Sequence, residues 1–193
     1  MAEPNVLFDF DPRNAPPDVL QAIGLIAMAA AQTESVVQQL IGGLLGIDNI
    51  QTIALGAHMA APLKDHVARA LAELAAPTLQ DLDELDGILD GVNAAYALRN
   101  VAVHNALAID PQGTVFSLRE SARGSLQVTL KPIDVEQLSK DAALIYEAGM
   151  TLMSFMLRVG LGPTHRTKLI RETPKRGQKA REARRNGGIG DGK

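Results

Sequence analysis

No cysteine occurs anywhere in the 193 residues. That absence excludes disulfides, thiolate metal sites and a cysteine nucleophile, and it suits a reducing compartment. Tryptophan is also missing, and the aromatics amount to two Tyr and four Phe. A core must therefore be assembled from Ala, Leu, Val, Ile and Met, which favours close-packed helices. Met1 to Pro17 lack the apolar stretch that a signal peptide uses. The longest apolar run, around Ile23 to Ala31, is broken by Gln32 and Glu34 and falls short of a bilayer span. The expectation is a cytoplasmic chain with no membrane partner.

The formal charge of −3 conceals a division. Residues 1–162 hold 9 Lys+Arg against 19 Asp+Glu, a net of −10, whereas residues 163–193 hold 10 against 3, a net of +7. An acidic body with a basic tail is thus expected. The tail carries Arg166, Lys168, Arg171, Lys175, Arg176, Lys179, Arg181, Arg184 and Arg185 among few apolar residues. Its composition predicts disorder, and its charges could bind nucleic-acid phosphates in a salt-dependent way or simply solubilise the chain.

Between an extended lead-in (1–16) and this tail, residues 17–162 read as one helical domain. Pro17-Asp18 opens a helix to about 46, with Leu20, Ile23, Ala27, Ala31, Glu34, Val37, Gln38, Ile41 and Leu45 on its expected inner stripe. A second helical region, 51–76, should break near Pro62. Beyond the break, Leu63, Val67, Leu71 and Leu74 are expected inside, with Lys64, Asp65 and Arg69 outside. Thr78 and Asp81 resemble a cap for a third helix, about 79–108. The period then shortens to two over 114–131, which predicts a β-hairpin. Asp134 and Gln137 cap a last helix, about 135–159, stopped at Gly160. The fold class is mainly all-α: four to five helices with one inserted β-hairpin before the last.

The third helix holds the polarity problem. Gly91 to Ile109 is almost wholly Ala, Val, Leu and Ile, as in a helix buried at the centre of a bundle. Yet Tyr96, Asn100 and His104, spaced i, i+4 and i+8, share one stripe that Asn93 extends. Polar groups on a dry seam cost free energy unless partnered. Arg99 lies beside the stripe. It is five residues from His104, about 140° round an ideal helix, so the two can share a cleft only if Arg99 curls, the helix end distorts or a second subunit completes the cleft.

Arg99-Asn100-x-x-x-His104 at the end of an apolar helix in an all-α chain resembles the motif of the HEPN family of small helical-bundle domains. Glu34 alone among apolar residues of the first helix, and a hairpin before the last amphipathic helix, are similar in layout. The resemblance covers about 18–158, and only the six-residue motif is specific. It implies a homodimer with two Arg…His motifs in an interfacial cleft. It also implies a metal-independent endoribonuclease that cuts RNA through its own 2′-OH, leaving a 2′,3′-cyclic phosphate, with a toxin or defence role and an antitoxin or other protein partner. The alternative within the family is a non-catalytic dimeric module that binds RNA, nucleotides or a protein.

The residue types suit that chemistry. Histidine titrates near neutrality and can move a proton. Arginine supplies a permanent charged fork matching phosphate oxygens. Asn100 could hold a phosphate or orient the imidazole. Arg99, Asn100 and His104 are the candidate catalytic residues, with Glu34 and Tyr96 in support. Glu34 could pair with Arg99 or His104, or stand half exposed. No cofactor or metal is expected, since His58, His66 and His165 show no ligand spacing, and His58 and His66 should lie on a helix surface. Arg119 and Arg123 on the hairpin could widen a phosphate surface. A second reading remains: Arg99, Asn100, His104 and Glu34 as a buried polar network that only holds helices in register.

Overall fold

The computed structural model describes residues 7–75, 78–121 and 127–163. The basic tail and Arg123 lie outside them, as do the expectations placed on those residues.

Five helices and a small antiparallel sheet make up the described chain: α1 (Pro17–Leu45), α2 (Asn49–Gly56), α3 (Ala61–Ala75), α4 (Leu79–His104), β1 (Ala106–Ile109), β2 (Val115–Ser121), β3 (Gln127–Pro132) and α5 (Val135–Val159). The mainly-α class with strands inserted before the last helix is as expected. Local chemistry accounts for the helix ends. Pro17 and Pro62 fall at helix starts, where a missing N–H is not needed. Asp48 and Gln51 form a reciprocal capping box on α2. Thr78 Oγ1 accepts from the Asp81 N–H at 3.0 Å, and Asp134 accepts from the Gln137 N–H at 3.1 Å. Gly46 and Gly160 end α1 and α5 with φ of 64° and 71°, a conformation that an L side chain resists.

The sheet has one strand more than the expected hairpin. β1 pairs antiparallel with β2, Ala106 facing Leu118 and Ile109 facing Val115, in the order β1-β2-β3. Residues 106–108 were expected to prolong the third helix, but α4 stops at His104. The turn at Asp110–Gly113 folds β1 back onto β2, with Asp110 Oδ1 accepting from the Gln112 and Thr114 N–H groups. Four apolar residues in a row satisfy either period, and strand pairing decides between them. Part of the lead-in is ordered too: Asp9 bridges Ile109, and Pro12–Asn14 form a short 3-10 turn.

Three apolar groups form the core. Val36, Leu40, Ile41, Leu85, Leu89 and Leu152 join α1, α4 and α5 over α3. Ile26, Ala30, Ala95 and Ile145 continue it toward the end of α4. Ala15, Val19, Ile109 and Val115 seat the sheet on the start of α1. The inner faces agree with expectation at Val37, Ile41, Val67 and Leu71 and are rotated from it elsewhere. On α1 Val37 and Ile41 are buried as expected, and Val19, Ala22, Ile26, Ala29, Thr33, Val36 and Leu40 are buried with them, while Leu20, Ala27, Ala31 and Leu45 are exposed. On α3 Lys64, Ala68 and Ala72 are buried, whereas Leu63 and Leu74 are exposed. α1 is almost uniformly apolar and has no polar face to fix its rotation, whereas α3 has one, and Lys64 turns inward there to meet Glu34. α1 and α5 are, by length and composition, apolar enough to cross a membrane; core helices meet the same criterion.

The acidic first half of α4 ties the bundle together. Arg69 on α3 reaches Asp86 at 3.0 Å and Asp90 at 2.7 Å, and Arg158 on α5 reaches Asp81 at 3.1 Å and also Glu84. The Thr78 hydroxyl, and then Arg158, hold the Asp81 carboxyl below its usual range. A depressed folded-state value contributes stability above the unfolded value, which is lost as pH falls through the folded one. Asp81→Asn should lower Tm at pH 7, and the gap to wild type should close below about pH 4 in a pH series of melts.

α1 and α5 cross at small residues. Thr33 Oγ1 donates to the Ile145 carbonyl at 2.8 Å, and a Cβ on Gly149 would stand 2.6 Å from that Oγ1. Gly149→Ala should destabilise the chain by about 1–3 kcal/mol through overpacking, as denaturant unfolding would measure.

Candidate functional site

The polar stripe of α4 does not lie on a dry seam. Asn93, Asn100 and His104 are exposed, Arg99 is partly buried, and Val101 beside them is 54% exposed. Only Tyr96 packs against the core. A buried network that holds helices in register is therefore not what these residues form. Asn93, Tyr96, Arg99 and Asn100 line a cleft of about 550 Å³ between α1, the start of α3 and the second half of α4, whereas His104 does not line it and meets it only through Arg99. Ala27, Ala31 and Glu34 form its α1 wall, Asp65 and His66 its α3 wall, and Asn93, Tyr96, Arg99 and Asn100 its α4 wall.

Arg99 curls along the helix. Its Nη1 lies 2.7 Å from His104 Nε2 and donates to Asn100 Oδ1 at 3.0 Å. A guanidinium has no acceptor lone pair, so Nε2 must accept and the ring proton sits on Nδ1. The 140° between the two Cα atoms is spanned by the length of the arginine side chain. The pair therefore meets within one chain, without a second subunit. His104 is the last residue of α4, and the chain turns to extended backbone at Asn105, whose side-chain amide donates to Ser117 Oγ at 2.9 Å. That bond fastens the end of the motif helix to β2.

Glu34 pairs with neither Arg99 nor His104. Lys64 Nζ takes its carboxylate at 2.7 Å and also reaches Gln38 Oε1 at 3.3 Å. The lysine side chain is 5% exposed and the glutamate 43%, so the ammonium is sunk beneath the cleft and the carboxylate opens into it. Lys64 was expected outside. Its burial is possible because Glu34 and Gln38, on another helix, neutralise and solvate it.

Tyr96 has a buried hydroxyl with no hydrogen-bond partner among the described residues. Burial, and then the Glu34 and Asp65 carboxylates, push its phenol well above the usual value, so it stays a neutral donor. A buried phenol donor beside a cleft is of the kind that an ordered water or a bound ligand completes. His66, expected only on a helix surface, is exposed and also lines the cleft. The sequence signal that could have found it is its i+4 spacing from Pro62, which lines the same wall. Arg119 is exposed on β2 and lines a different cavity, so it does not widen this cleft. Among the described residues no group of three or more His, Asp or Glu is placed to hold a metal ion.

Because His104 is exposed and bonded only at the surface, His104→Ala should change unfolding free energy by less than about 0.5 kcal/mol. A larger loss in denaturant melts would return the residue to a structural role. No protein-family model matches this chain, and no curated protein and no solved structure does either.

Proposed function

We propose that the chain is a metal-independent endoribonuclease of the HEPN type that acts as a homodimer. The observation that carries this reading is the contact of Arg99 Nη1 with His104 Nε2 at 2.7 Å, in which Arg99 lines an open cleft and links the histidine to it. In the free protein the imidazole lone pair is occupied by the guanidinium. A phosphodiester entering the cleft competes for Arg99, whose fork suits two phosphate oxygens. Nε2 is then free to accept a proton from the adjacent 2′-OH. The 2′ oxygen forms a bond to phosphorus, the bond from phosphorus to the 5′ oxygen breaks, and Arg99 stabilises the charge on the pentacoordinate phosphorane. A second imidazole, in its protonated form, donates to the leaving 5′ oxygen. Another copy of the chain would supply it, and the exposed Leu25 and Met28 on α1 and Leu144 on α5 offer apolar surface for such an association. The products are a 2′,3′-cyclic phosphate and a 5′-hydroxyl.

Asn100 Oδ1 aligns Arg99, and Tyr96 supplies a neutral hydroxyl to a substrate oxygen. The acidic body disfavours a broad RNA face; the basic tail could supply the non-specific attraction that the cleft lacks. The unpartnered Tyr96 hydroxyl and the two cleft amides, Asn93 and Asn100, also suit a second reading, a module that holds a nucleotide or RNA without cutting it.

Incubation with mixed RNA in EDTA separates these readings. Wild type should release fragments ending in a 2′,3′-cyclic phosphate, and His104→Ala should cut at least about 100-fold more slowly. An inert wild type that still binds RNA supports the binding module, and cleavage that survives the substitution removes His104 from the reaction. Tyr96→Phe should raise KM several-fold at nearly constant kcat while leaving Tm unchanged, because no protein bond is lost.

A further inference from the structure

On the opposite side of the last turns of α4 lies a second cavity, of about 400 Å³. Ile23 of α1, Val101 and Ala102 of α4, Leu107 of β1 and Leu138 of α5 form its apolar floor. Its rim is polar. Arg119 on β2 faces Thr129 on β3, and Lys131 on β3 faces Ser117 on β2, so the two cations are diagonal neighbours on one face of the sheet. Among the described residues neither cation has an ion-pair or hydrogen-bond partner, although most other cations of the described body, such as Lys64, Arg69 and Arg158, do. Among the described residues Asp134 is the one acidic residue lining the cavity, and it is engaged as the cap of α5 through the Gln137 N–H.

We propose that this cavity binds an organic anion with an aliphatic body, its chain on the apolar floor and its carboxylate or phosphate head between Arg119 and Lys131. The volume lies within the range of small-molecule sites. The floor is aliphatic, and among the described residues no aromatic side chain lines the cavity to stack a nucleobase. The paired charges suit a head with two or more oxygens: a guanidinium fork takes two and the ammonium one. The site stands apart from the cleft chemistry and holds whether or not the chain cuts RNA. It is coupled to the cleft by position, because Val101 and Ala102 in its wall belong to the same turns of α4 as Arg99 and His104, and Asn105 follows them directly. A ligand there would pack the outer side of those turns.

Calorimetric titration of the full chain with octanoate, octyl phosphate, octanol and inorganic phosphate tests the assignment. At least one of the two amphipathic anions should bind saturably at one site per chain, and the tighter of them identifies the head group. Octanol and inorganic phosphate should each bind at least about 10-fold more weakly. The double variant Arg119→Gln with Lys131→Gln, both exposed positions, should weaken anion binding by about 10-fold or more with Tm unchanged. Thr129→Trp, also exposed and on the cavity side of β3, should block it. Absence of saturable binding by either anion at millimolar concentration overturns the proposal, as does affinity unchanged in the double variant. Binding of inorganic phosphate as tight as that of the amphipathic anions would reduce the site to a plain surface charge pair and overturn it too.

Discussion

The close crossing of α1 and α5 is the constraint on which the remaining geometry rests. At Thr33 and Gly149 there is no room for another carbon atom, and the threonine hydroxyl is bonded to the Ile145 carbonyl. This contact sets the height and rotation of α1 in the bundle. α1 in turn supplies a wall to both cavities: Ala27, Ala31 and Glu34 to the cleft, and Ile23 to the opposite pocket. A small shift at the crossing would move both. Close packing makes such a crossing stiff, because neighbouring side chains have nowhere to go.

Electrostatics complete the frame in a different way. Arg69 and Arg158 each draw two carboxylates of α4 toward a neighbouring helix, so the acidic half of α4 is anchored at both flanks. The other half of α4 carries few charges and is held by apolar packing and by the Asn105–Ser117 bond. Arg99 and His104 therefore sit at the less tightly fastened end of the helix. That location gives reach and access, which a buried position would deny.

What the sequence made legible follows from the range of the interactions involved. Helix ends depend on one or two residues, so Pro17, Pro62, Thr78, Asp134 and Gly160 announced theirs. Helix faces depend on partners far along the chain. Lys64 reads as outward until Glu34, on another helix, is known to meet it, and Leu63 and Leu74 read as inward by the same local rule. β1 was hidden because Ala106–Ile109 continue an apolar helix pattern, and only pairing with β2 tells them apart. At the candidate site, the spacing of Arg99, Asn100 and His104 was visible. The curl of the arginine, the exposure of the stripe and the arrival of His66 and Lys64 from α3 were not, since each depends on which helices become neighbours.

The two edges of the sheet are guarded by different means. Beyond β1, Asp9 exchanges backbone hydrogen bonds with Ile109, so that edge is covered at its last residue by the lead-in to α1. β3 forms the opposite border and is exposed along its whole length. There, protection is chemical: Pro132 offers no N–H, and Lys131 places a charge beside it.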